Sequence, residues 1–267
     1  MIVRIGLPEH SGALIAAARD IGAPVLVSAN RAWDDRSRRF RSPRGLDGMD
    51  CALDSSGFVA MRLYNGYRWT VPEYVLFARS RPWAWWAAMD YCCEPEIAAN
   101  RGEVLSRVAR TVNSYAECVA ESGNDQGLLP VLQGRLPSDY VGCAAQLDRI
   151  APSWRAAPIV GVGSVCRRPV GGTDGLLAVV RAVARALAGR QRVHLFGAKS
   201  GALTALASEG LSAAVASTDS SAWDFAARVR ARSEGRPCRM PDRIASMRDW
   251  SAGQALATQS PAQGWLW

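Results

Sequence analysis

Eight positions stand out because each falls at or just past the end of a short apolar run: Asn30, Asp54, Asp90, Gln133, Gly163, Gly197, Lys199 and Asp219. The three aspartates among them are groups that can attack an electrophilic carbon or carry a proton. Gln133 offers a donor and an acceptor on one amide, and Lys199, the only lysine of the chain, offers a cation for a phosphate or a base. Polar residues after apolar strands are also how ordinary loops begin. Asp54, in DSSG, equally fits an Asx turn or a helix N-cap, and Asp219, in TDSSAWDFAAR, equally fits the cap of the helix that follows. His194 lies inside an apolar run, where a hydrogen-bonded core histidine and a catalytic one are both consistent with the pattern.

Those positions share one surface only if the runs before them lie side by side. The runs are MIVRIG, APVLVSA, MDCALDS, WAAMDYC, LLPVLQG, APIVGVGS, RVHLFGA and SAAVAST, starting at Met1, Ala23, Met49, Trp86, Leu128, Ala157, Arg192 and Ser212. Most are followed by a turn and then a stretch of helical period, the alternation that predicts a parallel sheet. About eight strands close a (β/α)₈ barrel, and barrel enzymes collect their chemistry at the C-terminal ends of those strands. Helices are expected from Glu94 to Ser122, Pro137 to Ile150, Leu176 to about Gly189 and Ser221 to Ser233. The charged segment Asp34–Gly45 reads as a loop, and Met61–Tyr74, with Asn-Gly between aromatic residues, reads as a hairpin. The Trp83, Trp85 and Trp86 cluster is expected to pack between helix and barrel, and Asp224 to be an exposed or ion-paired helix residue.

At 267 residues, with 49% hydrophobic and 21% charged residues, the chain matches one α/β barrel with a full core, and the composition excludes wholesale disorder. We read residues 1–267 as one domain whose last segment, 240–267, follows no recognisable element pattern. The net charge of +8 suits a polyanionic partner, although an Arg-rich base composition gives the same sign. Arg36, Arg38, Arg39 and Arg41 are candidates for phosphate contacts, with a solvated loop as the alternative. The seven cysteines are odd in number and scattered, which predicts buried thiols in a cytoplasmic protein, and no run is long enough for a membrane span. Cys92 and Cys93 lack ligand-spaced partners, so no metal or cofactor is called for.

The segment LDSSGFVAM resembles the D-S-G-G-F-Q signature of tRNA-guanine transglycosylases, and further matches follow in the same order. MDYCC resembles M-D-E-C, PVLQG resembles V-Q-G-G, VGVGSV and HLFGAK are similar to the family's two Gly-rich segments, and STDSSAW lies where the family has F-D-C. Each motif alone is weak, but their order and spacing carry the likeness, which is greatest to the deazapurine DNA modification protein A branch. The resemblance implies a single-domain barrel that exchanges guanine in DNA, or alternatively tRNA, for a 7-deazaguanine such as the 7-cyano compound. Helper modification or restriction proteins are possible partners, and a non-catalytic nucleic-acid-binding subunit is the reading from another class.

Carried over residue by residue, the resemblance implies Asp219 as nucleophile and Asp54 as general acid/base. It implies Asp90, Gln133 and the backbone of Gly161 and Gly163 at the purine edge, Phe58 and Phe196 on its faces, and Ser55 and Gly197 beside it, with His194 and Lys199 in a second tier. Exchange with retention at C1′ needs two inversions, hence a covalent intermediate on a carboxylate with a second group moving the proton. The sequence departs from the family at Ser56, where a Gly is usual, and at Val59, where a Gln is. It also lacks the C-x-C-x-x-C run and distant His of the family's zinc subdomain, since only Cys238 lies there.

Overall fold

The apolar runs become parallel strands, and their pleat sorts each run into two faces. The computed structural model describes residues 1–123, 126–198 and 200–259. Its strands are β1 (Ile2–Leu7), β2 (Val25–Ser28), β3 (Trp33–Asp34), β4 (Arg39–Phe40), β5 (Cys51–Asp54), β6 (Trp86–Ala87), β7 (Leu128–Leu129), β8 (Val131–Leu132), β9 (Ile159–Val162), β10 (Arg192–Leu195) and β11 (Val215–Ser220). The main sheet has the order β7-β6-β5-β2-β1-β11-β10-β9-β8. Its two edge members, β7 and β8, are halves of one run divided by Pro130, which has no N–H to place in a ladder. One half pairs with β6 and the other with β9, so the sheet curls into a nearly closed α/β barrel, the architecture expected from the sequence.

Period-two alternation then fixes what points inward. Leu26, Ala52, Trp85, Ala87, Leu129 and Val131 pack together inside the barrel, whereas their neighbours Val27, Leu53, Trp86, Leu128 and Leu132 join the core under the helices. Continuing the inward series two residues further reaches Asp54 and Gln133, at the C-terminal mouth. The same alternation corrects one expectation: Trp86 packs under the helices as anticipated, but Trp85 fills the barrel interior, because adjacent residues of a strand face opposite ways.

The helices are α1 (Gly12–Ile21), α2 (Gly57–Tyr64), α3 (Val71–Ala78), α4 (Arg101–Ser122), α5 (Pro137–Ile150), α6 (Leu176–Leu187), α7 (Ser200–Ser208), α8 (Ala222–Ser233) and α9 (Met240–Gln259). Helix α4 starts later than Glu94, since Pro95 disfavours a helical residue before it and the Asn100 side chain caps the helix by accepting the Glu103 N–H at 3.0 Å. The hairpin expected over Met61–Tyr74 is not formed. Asn65 adopts a left-handed φ of 54° and ends α2, and Thr70 opens α3 with a capping box to Glu73. Asn-Gly supplies left-handed backbone, which serves a helix end as readily as a hairpin turn. A two-stranded hairpin lies instead at the start of the charged segment, where β3 and β4 pair Trp33 with Phe40 and Asp34 with Arg39.

Helix α9 ties the end of the described chain to the barrel. Ser246 Oγ donates to the Trp223 carbonyl at 2.7 Å, and Arg243 Nε to Asp224 at 2.5 Å. Asp224 is therefore an ion-paired residue, buried between α8 and α9 and also bridged to Arg228. Residues 260–267 lie outside the described part.

Candidate active site

The strand ends converge on a cavity of about 570 Å³. It is lined by Asp54 from the end of β5, Asp219 from β11, Asp90 past β6, Gln133 past β8, Gly163 past β9 and Phe196 and Gly197 past β10. Phe58, in the first turn of α2, also lines it. Residues 54 and 219 are thus brought together from strands on either side of β1 and β2. Ser55 is fully buried just behind the wall, while Gly161 lies one layer deeper in β9. Lys199 lies outside the described residues.

Absent side chains shape this wall as much as present ones. A Cβ on Gly163 would stand 2.1 Å from Gln133 Nε2, one on Gly57 would stand 2.6 Å from the Asp90 carbonyl, and one on Gly161 would stand 2.7 Å from the Phe196 ring. Each glycine makes room for one lining residue. Ser56 occupies its position with φ of 69°, a left-handed backbone that explains the glycine usual there, and its hydroxyl is 2.5 Å from Ser28 Oγ and accepts the Asn30 N–H at 2.9 Å.

The two opposed carboxylates differ in their surroundings. Asp219 Oδ1 accepts the Gly197 N–H at 2.8 Å, with His194 Nε2 at 3.3 Å. His194 is wholly buried inside the barrel, its Nδ1 2.8 Å from Ser217 Oγ, and burial holds its pKa below the usual histidine value. The neutral ring is held by Ser217 and leaves Nε2 beside Asp219 without a hydrogen bond, so the Gly197 N–H is the donor that orients that carboxylate. Asp54 is shifted upward to about 8, first by burial, then by the charges of Asp90 and Asp219, against the opposing Ser56 N–H bond. Burial therefore favours the carboxylic acid form of Asp54.

Asp90 is held from three sides. Ser55 Oγ donates to its Oδ1 at 2.6 Å, Gln133 Nε2 to its Oδ2 at 2.5 Å, and its backbone N–H and C=O bond the Tyr67 hydroxyl at 2.9 and 2.8 Å. Burial is the main influence on its pKa and pushes it upward, with these donors pulling back.

Several lining residues escaped the sequence reading. Glu94 and Ser164 stand in the wall, Arg167 sits over the Phe58 ring at 4.8 Å, and Phe225, in the first turn of α8, is 71% exposed at the lip. Of the candidate phosphate ligands, Arg39 and Arg41 line a second cavity of about 700 Å³ with Arg31, Arg44 and His10. A smaller cavity bridges the two, with Arg31 and Asn30 on one side and Asp54 and Asp219 on the other. Arg36 and Arg38 are exposed in the turn between β3 and β4. Among the described residues no cluster of three or more His, Cys, Asp or Glu is arranged to hold a metal, and no helix is long and apolar enough to cross a membrane.

The fold and the cavity define an α/β-barrel protein with paired carboxylates at the mouth of its strands. Residues 7–250 match the family model described as DpdA, DeoxyPurine in DNA protein A, and the chain belongs to that family. Membership supports a transglycosylase-type role in the modification of DNA with deazapurines. No curated protein gives a significant match.

Proposed function

We propose that the protein exchanges guanine in DNA for a 7-deazaguanine through a covalent bond between Asp219 and the deoxyribose. In the first half-reaction an Asp219 carboxylate oxygen bonds C1′ as the C1′–N9 bond breaks, and the departing guanine takes the proton of Asp54. In the second, N9 of the deazaguanine attacks C1′, its proton passes to Asp54 and the Asp219–C1′ bond breaks. One carboxyl group thus serves as acid and then as base, a task suited to a group that titrates near neutral pH. The observation carrying this reading is that Asp54, whose burial favours the protonated form, and Asp219, oriented by the Gly197 N–H, face one cavity that Asp90 and Gln133 also line.

Asp90 and Gln133 suit guanine. The Asp90 oxygens keep lone pairs for the ring N–H and the exocyclic amine, and the second Gln133 N–H is free to donate to the base carbonyl. A base inside a duplex cannot reach such a cavity, so the nucleotide must flip out, at a cost of about a few kcal/mol. Phe58 and Phe196 offer stacking surfaces worth about 1–3 kcal/mol per base, and the groove from Arg31 to Arg44 lies where adjacent phosphates can follow.

Incubating the protein with DNA and a 7-deazaguanine, followed by mass spectrometry of the nucleosides, tests the proposal. The expected result is incorporation, with a covalent protein–DNA adduct that maps to Asp219 and is lost, with nearly all turnover, in Asp219→Asn. Incorporation unaffected by that substitution overturns it, as does preference for tRNA when both polymers compete.

A further inference from the structure

Gln133 can read a base carbonyl only if its amide presents N–H rather than oxygen, and the two orientations differ by one flip. Its Oε1 lies 2.7 Å from Ser164 Oγ, which also lies 2.8 Å from Glu94 Oε2 and accepts the Cys93 backbone N–H at 2.7 Å. A hydroxyl has one hydrogen and two lone pairs. The Cys93 N–H fills one lone pair, leaving a hydrogen and a lone pair for two oxygens. With Gln133 Oε1 toward Ser164, all four groups are satisfied only if Glu94 carries a proton and donates it to Ser164, which in turn donates to Gln133 Oε1. Gln133 Nε2 is then the side that meets Asp90.

The flipped alternative needs Gln133 Nε2 to donate to Ser164 and Ser164 to an ionised Glu94. It places Gln133 Oε1 against Asp90 Oδ2, two acceptors at 2.5 Å, unless the proton moves to Asp90. With Gln133 Nε2 on Asp90 Oδ2 and Ser55 donating to Oδ1 at 2.6 Å, Asp90 is the acceptor of both and the proton stays on Glu94. Glu94 is 5% exposed, and burial together with the Asp90 charge favours its neutral form. The surrounding backbone is built to hold this arrangement. Ser164 has φ of 54°, unusual for a residue with a Cβ, and is pinned by Arg168 Nε on its carbonyl at 2.7 Å, while Tyr140 OH holds the Gly163 carbonyl at 2.9 Å.

We propose that Ser164 and Glu94 are specificity-determining positioning residues that lock the Gln133 amide with its N–H toward Asp90 and the base, so that the pocket takes 6-oxopurines in preference to 6-aminopurines. This rests on the base-exchange reading of the same cavity and adds to it which wall residues, acting through Gln133, set the choice.

Calorimetric titration of the protein with guanine and with 2,6-diaminopurine, which differ at the six position, tests it. Wild type is expected to prefer guanine. Ser164→Ala and Glu94→Leu free the amide to flip and are expected to lower the guanine-to-diaminopurine affinity ratio about tenfold. Glu94→Gln, whose amide N–H can donate to Ser164 as the protonated acid does, is expected to keep the ratio within about twofold. Melting curves of the same variants separate a lost lock from a lost fold, which would weaken both bases alike. Normal guanine binding with an unchanged ratio in Ser164→Ala overturns this proposal alone, and so does Glu94→Gln behaving like Glu94→Leu. A wild type that binds neither base removes the base-exchange reading and this one with it.

Discussion

At the floor of the barrel interior the buried charge is answered. Arg4 is 3% exposed, pairs with Asp50 at 2.8 Å, reaches two backbone carbonyls and lies over the Trp85 ring at 5.6 Å. At the mouth, Asp54, Asp90 and Glu94 crowd one cavity, and among the described residues none of the three has a cationic side chain in an ion pair. Burial pushes all three pKa values upward, and neutral hydrogen-bonding groups such as Ser55, Gln133 and Ser164 surround them where ion pairs would otherwise stand. A folded chain can tolerate such a cluster but gains nothing from it in stability, so the floor is built to hold the barrel together and the mouth to act.

If that contrast is right, small changes at the mouth should cost function and spare the fold. Gly163→Ala is the sharpest instance, because its added Cβ would meet the movable end of Gln133 rather than backbone. Guanine affinity is expected to fall about 10- to 100-fold as the amide leaves Asp90, with little change in melting temperature. Gly142, in the middle of α5, has nothing within 4 Å of such a Cβ, so Gly142→Ala serves as the control and should leave binding intact. Equal loss of binding in both variants would mean that the mouth glycines have no special role.

Changes at the floor should do the reverse. Arg4→Ala removes the buried stem and the ion pair together, and is expected to cost about 2–3 kcal/mol in a denaturant melt. Arg4→Met keeps the packing, and the Asp50 side chain, 48% exposed, can return to water, so most of that loss should be recovered. If Arg4→Met is as unstable as Arg4→Ala, the charge rather than the packing holds the floor.

The same division governs what the sequence makes legible. Strands and helices follow from periodicity, and Asp54, Gln133 and Asp219 fall at or just past the ends of their apolar runs, which is why the sequence alone assigns them to one mouth. Glu94 and Ser164 sit in irregular segments past β6 and β9, where no period says which way a side chain points. Their role emerges only when the register of two distant strands sets them 2.8 Å apart. Tyr67 is the same case: it reaches Asp90 from the connection between α2 and α3, a stretch whose Asn-Gly pair reads locally as a hairpin. Local preference for left-handed backbone was legible at Asn65; what that turn connects is decided by tertiary packing.

The effect that joins the two ends of the comparison is the stability cost of Asp54 itself. Its carboxyl titrates near 3.8 when unfolded and at about 8 when folded. Between those values the folded state binds more protons than the unfolded one, so stability falls as pH rises through the window and the loss is complete only above the folded value. Asp54→Asn removes the titration. At pH 4 it should melt close to wild type, and its advantage over wild type should grow steadily as pH rises to 8. Over the same range wild-type release of guanine should decline above pH 8, as the acid that protonates the leaving base is lost, and Asp54→Asn should show almost no release at any pH. A variant that gains stability with rising pH while losing the reaction would show the mouth holding a proton at the expense of the fold. A flat difference in melting temperature from pH 4 to 8 would show that Asp54 is an ordinary surface acid and that the contrast with the floor does not hold there.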